Sequence, residues 1–186
     1  MGDTKLVVLI GNAGTAMFQR FTREGSGTLD QWTRDVVDPM ARDLGARAVY
    51  PFTEPFLPFQ QWARKAGAGH VSPLGLNIHP TFGLWHGYRA ALLFSVIFDL
   101  PAPAAAAHPC EACADKPCLS ACPVSAFDGR KYDVGACVDH LNHENECLAG
   151  GCKARLACPI GKGFVYEPDQ MQFHMRAFKA AHPNEL

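Results

Sequence analysis

The stretch that decides the reading runs Cys110-Glu111-Ala112-Cys113-Ala114-Asp115-Lys116-Pro117-Cys118-Leu119-Ser120-Ala121-Cys122-Pro123. A second run follows it, Cys137-x9-Cys147-x4-Cys152-x5-Cys158-Pro159. All eight cysteines of the chain lie in these two runs, and each run ends in Cys-Pro. Four thiolates per run is the number that a cubane [4Fe–4S] cluster requires, so the pattern predicts two such clusters.

The spacing has a physical basis. A Cys-x2-Cys pair lets one tight loop present two sulfurs, while its backbone N–H groups turn toward the negative charge and stabilise it. In bacterial two-cluster ferredoxins the cysteine before the proline ligates the other cluster, because the chain has by then turned away from the first. Carried over to this chain, that rule gives one cluster Cys110, Cys113, Cys118 and Cys158, and the other Cys122, Cys137, Cys147 and Cys152. The loop Ala114-Asp115-Lys116-Pro117 is two residues longer than the ferredoxin x2, and the second run is looser still.

Two other chemistries use such cysteines. Zinc held by four thiolates usually pairs two Cys-x2-Cys knuckles, and this chain has a single one. A disulfide framework needs an oxidising compartment, and the N-terminal Met1 to Gly11 shows neither the apolar length nor the cleavage site of a signal peptide. The expected location is cytoplasmic.

The 186 residues, 48% of them hydrophobic, suffice for one ordinary core or two small units. The longest apolar stretch, Ala90 to Phe98, falls far short of the roughly 20 residues that span a bilayer, so no membrane span is expected. A formal charge of −1 without a basic run lacks the footprint of a nucleic-acid binder. The expected partner is a redox protein, donor or acceptor, and no nucleic acid. Lys116, Arg130, Lys131, Lys153, Arg155 and Lys162 surround the cysteines and read first as solvated surface.

The cysteine distribution divides the chain into residues 1–104, a small α/β unit, and residues 105–186, a dicluster module with a C-terminal helix. The Pro- and Ala-rich segment Leu100 to Pro109 is the expected connector. The expected fold class is an α/β N-terminal unit followed by a ferredoxin-like α+β two-cluster module. Strands are predicted at Lys5–Ile10, Ala48–Tyr50, Leu74–Ile78 and Ala90–Phe98. Helices are predicted from Thr15, from an N-cap at Thr28 toward Leu44 with a kink at Pro39, over Pro58–Gly67, and from Glu167 with Met171, Met175 and Phe178 on its packed face. Gly11-Asn12-Ala13-Gly14 matches neither phosphate-loop pattern and reads as a tight strand-to-helix turn. The eight histidines form no metal constellation. His79 and His86 sit in the most unusual surroundings, and His140 and His143 are candidate donors beside Cys137 and Cys147.

Trp62 to Gly67, Leu76-Asn77-Ile78-His79-Pro80-Thr81-Phe82-Gly83-Leu84-Trp85 and the two Cys-Pro runs together resemble the central part of the epoxyqueuosine reductases and their reductive dehalogenase relatives. The resemblance covers roughly residues 50–160. It implies a cobalamin-binding α/β domain ahead of a two-cluster ferredoxin module. It also implies an acidic proton donor, for which Glu54 is the only acid in the corresponding stretch. The eight cysteines carry over, and a catalytic acid does not. The expectation is an electron-transfer protein with two [4Fe–4S] clusters, and the alternative is a reductase whose clusters serve cobalamin or another cofactor in the N-terminal unit.

Overall fold

The computed structural model describes residues 3–100, 106–143 and 146–183. In chain order its elements are β1 (Leu6–Ala13), α1 (Ala16–Glu24), α2 (Leu29–Asp43), β2 (Arg47–Val49), α3 (Phe59–Lys65), β3 (His70–Val71), β4 (Asn77–Ile78) and β5 (His86–Phe94). There follow α4 (Pro117–Ser120), α5 (Val134–His143), α6 (Glu146–Gly150), α7 (Lys153–Leu156) and α8 (Pro168–Ala181). The architecture is mixed α/β with small sheets, and it divides into two compact units, Met1–Ala68 with His86–Ala105, and Gly69–Trp85 with Ala106–Leu186.

The first unit is built on an antiparallel sheet in the order β1-β5-β2. Ala90 to Phe94 are all buried, as a central strand covered on both faces must be. Ala90, Leu92 and Phe94 pack with Tyr50 against Val37 and Ala41 of α2. Leu29, Thr33, Val37 and Ala41 recur every four residues as the buried stripe of that helix. Thr28 caps it, its hydroxyl accepting from the Gln31 N–H at 3.1 Å. The helix continues through the exposed Pro39 to Asp43.

The β1–β5 register shifts between Ile10 and Gly11, where Ile10 faces Ala90 but Gly11 faces Tyr88. Arg89 is thus the extra residue of a bulge. Such a bulge re-aims a side chain, and Arg89 reaches α2, binding Asp30 at 2.5 Å and the Thr33 hydroxyl at 3.1 Å. Gly11, Asn12 and Ala13 belong to the ladder, opposite Tyr88, Gly87 and His86, so the strand runs past the expected turn to Gly14 at φ 64°. β5 covers His86–Phe94, earlier than the expected Ala90–Phe98, because its partner β1 ends where Leu6 meets Phe94.

The second unit has little sheet. β3 and β4 pair over two residues each, and the strand expected at Leu74–Ile78 is realised only at Asn77–Ile78. Ser72 to Gly75 turns instead, Gly75 N–H donating to the Ser72 carbonyl at 2.9 Å. α8 forms where expected, with Met171 lying over Gly151. Much of the apolar core consists of the thiols themselves, with Cys118 and Cys158 buried among Leu74, Ile78, Leu84 and Ala154 and flanked by Cys110, Cys122 and Cys152.

The boundary expected between residues 104 and 105, like residues 101–105 of the connector, lies outside the described residues. The division also differs from 1–104 and 105–186 in its membership, because Gly69–Trp85 belongs with the cysteine-bearing unit. Arg155 donates to the Leu84 carbonyl through Nε at 3.0 Å and stacks 4.4 Å over Trp85. His108 bonds the Val71 carbonyl at 3.1 Å. Gly83 and Gly161, both left-handed, let the backbones of Phe82–Gly83 and Ile160–Gly161 touch directly, leaving no room for a Cβ on either. Sequence proximity to the first strands had hidden this partnership.

Candidate metal centre

Each cysteine is positioned by a short local device. The Cys110 N–H donates to His108 Nδ1 at 3.2 Å. His108 must then donate through Nε2 to Val71, and its ring stacks on His70 at 4.7 Å. Lys116, in the left-handed region at φ 39°, reverses the chain so that Pro117 can open α4. Cys118 sits in that helix and Cys122 just beyond it, accepting from the Ala126 N–H at 3.3 Å through its sulfur.

The second run repeats the arrangement. Cys152 stands at the N-cap of α7. Cys158 follows α7 as Cys122 follows α4, and the two short helices pack against each other. Cys137 lies in α5 and Cys147 in α6.

All eight cysteines are free thiols. Burial raises the Cys110 thiol to about 11, helped by Cys158, Cys118 and Cys113. Burial also raises Cys118, again with Cys158 and Cys113 as its neighbours. Cys137 is raised by burial with Cys122 and Cys147 nearby, Cys147 by burial with Cys122, and Cys152 by burial with Cys137 and Cys147. The mutual influences therefore fall into two sets, Cys110, Cys113, Cys118 and Cys158, and Cys122, Cys137, Cys147 and Cys152. Among the described residues no three His, Cys, Asp or Glu side chains converge as ligands of one metal ion.

The candidate histidines fare differently. His79 Nδ1 accepts from the N–H groups of Thr81 at 3.0 Å and Phe82 at 3.3 Å, and its ring stacks on Phe82. His86 belongs to the other unit, in edge contact with Tyr88. His143 is exposed and turns back to its own helix, on the Asp139 carbonyl at 2.9 Å, whereas His140 Nε2 is buried without a hydrogen-bond partner. Arg155, expected as solvated surface, is a clamp, stacked between Trp85 and Tyr166.

One side chain at the cysteines escaped the sequence reading. Tyr132 lies beside Cys137, and its burial pushes the phenol far above its ordinary range. Its signal was the Asp128-Gly129 turn between two aromatics. Asp128 accepts from the Arg130 and Lys131 N–H groups at 2.7 and 2.6 Å, and Phe127 bridges Tyr132 across the turn.

Glu54 lies in the first unit, lining a cavity of about 440 Å³ with Arg34, Asp38, Arg47 and Tyr50. Arg34 stacks over Tyr50 at 4.4 Å, and the Tyr50 hydroxyl donates to Asp38 at 2.5 Å.

The fold of this chain is similar to that of the epoxyqueuosine reductases. It resembles the enzyme from Bacillus subtilis at 17% identity and a TM-score of 0.58, over 90% of this chain and 51% of that one. A crystal structure of epoxyqueuosine reductase with an epoxyqueuosine-modified tRNA-Tyr stem loop matches at 19% identity and a TM-score of 0.60, again over 90% and 51%. A selenomethionine-labelled epoxyqueuosine reductase matches at 17% and 0.57, over 92% and 53%. The chain thus spans about half the length of these solved structures. No family model matches it, and no curated protein matches it by sequence. No helix among the described residues is long and apolar enough to cross a membrane.

Proposed function

We propose that the chain is a reductase-type iron–sulfur protein. Cys110, Cys113, Cys118 and Cys158 hold one [4Fe–4S] cluster, and Cys122, Cys137, Cys147 and Cys152 hold a second in a ferredoxin-like crossed arrangement. The observation that carries this reading is the sorting of the thiols into two interacting sets of four, each completed by the Cys-Pro cysteine of the other run. The donor chemistry fits, since each set is all-sulfur and the Cys122 sulfur accepts a backbone N–H that favours anionic sulfur.

When bound, such clusters accept and release single electrons at potentials set by ligation, hydrogen bonding and burial. The chain's own part is to orient and shield. Packing of α4 against α7 brings the two Cys-Pro ends together, and Leu74, Ile78 and Leu84 keep water from the sulfurs. The deprotonated thiols that metal binding demands are disfavoured by this burial, so ligation and folding of the unit are coupled.

Anaerobically purified protein is expected to be brown, with about eight irons and eight sulfides per chain, four of each for every cubane cluster. Stoichiometric zinc without sulfide defeats the proposal. Crossing is tested by pairs. Cys113→Ala with Cys158→Ala removes ligands from one set and is expected to spare the other cluster, whereas Cys113→Ala with Cys122→Ala damages both. The reverse outcome means that ligands group by run.

The likeness to the epoxyqueuosine reductases favours reduction of a bound substrate or cofactor over carriage alone. The cavity beside Glu54, about 440 Å³, lies toward the low end of small-ligand sites, roughly 300–1,000 Å³, so tight cobalamin binding is not the favoured reading. Titration with cob(II)alamin is expected to leave its spectrum unchanged, and a base-off species at micromolar protein reverses that reading. The solved complex with a tRNA stem loop lends no support to the expectation of a partner set without nucleic acid.

A further inference from the structure

We infer that Gln170 of α8 donates a hydrogen bond from its side-chain amide to the group held by Cys122, Cys137, Cys147 and Cys152, and so raises the reduction potential of that group. This inference rests on the cluster reading above and adds to it a residue outside the ligand set.

Gln170 is the one buried residue of α8 and is 0% exposed, yet neither its Nε2 nor its Oε1 has a hydrogen-bond partner in the protein. Glutamine is mostly a surface residue, and burying its amide unpaired costs free energy that an apolar side chain would not. Among the described residues, the other buried side-chain nitrogens in this condition are Trp85 Nε1 and His140 Nε2. All three residues belong to the cysteine-bearing unit, and none to the unit closed by a conventional core. The deficit in hydrogen bonding thus follows the thiols, and the partner of the Gln170 amide is not a protein atom.

Placement decides which group it serves. α8 packs along α6, whose buried residue is Cys147. The next residue, Met171, lies on Gly151, where a Cβ would come within 2.7 Å of its Sδ, and Gly151 leads directly into Cys152. One turn before Gln170, Tyr166 is held by the Arg155 guanidinium of α7, 4.6 Å over its ring, and one turn after it His174 meets that ring at 5.5 Å. The stripe of α8 bearing Gln170 is thereby fixed among the elements that carry Cys147 and Cys152. An amide NH2 is a neutral donor, and anionic sulfur is the acceptor that those elements supply. One electron added to the group increases the negative charge on the sulfurs, so a donor fixed beside them stabilises the reduced form more than the oxidised form. No proton leaves the amide.

The test uses the full chain, purified anaerobically, as wild type and as Gln170→Met, which keeps the length of the side chain and removes its donors. Iron and sulfide are counted, and both one-electron potentials are read by dithionite titration followed by electron paramagnetic resonance. In Gln170→Met that retains both clusters, one potential is expected to fall by about a tenfold change in equilibrium constant, 59 mV for one electron, while the other stays. An amide that is unpaired, or bonded only to a water, gives unchanged potentials, which overturn the inference and leave the cluster reading intact. If Gln170→Met loses iron, a protein that keeps Gln170 decides, namely Gln172→Ala labelled isotopically in the side-chain nitrogen of glutamine and read by electron spin echo modulation of the reduced clusters. Gln170 is then the only glutamine of the second unit, and the four of the first unit are exposed. A coupling from the labelled nitrogen supports the inference, and its absence overturns it. Wild type without iron and sulfide overturns both.

Discussion

The two units are held together by different means. The first carries a conventional core, in which Val37, Ala41, Tyr50, Ala90, Leu92 and Phe94 close α2 onto a three-stranded sheet. In the second, five of the twelve residues of the apolar cluster are cysteines. Its strands are two residues long, and α4 and α7 have four residues each. Elements this short do not persist on local propensity, and backbone pairing on that scale contributes little. On the proposed reading, ligation of the sulfurs supplies the second unit with the cohesion that the first draws from its core.

That contrast is open to direct attack. Stripping iron from the as-isolated protein is expected to abolish hydrogen-exchange protection across residues 69–85 and 106–183, while amides of β1 and β5 keep theirs. Protection lost in both units, or kept in both, breaks the comparison.

Next in size is Gly83→Ala, which puts a methyl against the Ile160 carbonyl at a left-handed φ of 58°. Left-handed strain and overpacking each contribute about 1–3 kcal/mol, and the loss is expected in the second unit together with its metal content. Normal iron at wild-type melting temperature excludes the tight backbone crossing.

Leu92→Ala in the first unit is expected to cost about 2–4 kcal/mol, the range for a buried leucine, and to leave eight irons in place. Iron lost in parallel with stability couples the two cores and blurs the distinction.

The smallest effect is a pH dependence. Burial holds the His79 imidazole below its ordinary value of 6.5, and its Nδ1 accepts two N–H groups that protonation forfeits. The unfolded chain takes up the proton first, so the second unit loses stability as pH falls below about 6.5. Comparing melting temperatures between pH 7 and 5, His79→Asn is expected to flatten that slope. An identical slope in the variant assigns it to another group.

Much of the first unit was legible because its signals are local. Thr28 announces a cap, the four-residue recurrence of Leu29, Thr33, Val37 and Ala41 announces a buried face, and Lys5 to Ile10 announces a strand. The ends of β1 and β5 were misjudged because a strand stops where its partner stops, and pairing is not written in either segment alone. Leu74 to Leu76 is apolar enough for a strand but turns, because Ser72 and Gly75 close on each other.

By itself the sequence determined the eight cysteines, their spacing, and through the two Cys-Pro endings the expectation of a crossed ligand set. It also determined the mixed helix and strand content, since periodicity and capping act over a few residues. Only the tertiary structure decided that Gly69–Trp85 joins the cysteine-bearing unit and that Arg155 is a clamp for Trp85 and Leu84. Each of these depends on groups meeting in space. Gly83 meets Ile160 and Leu84 meets Arg155 across some seventy residues of chain, and no local preference encodes a contact whose two halves are that far apart.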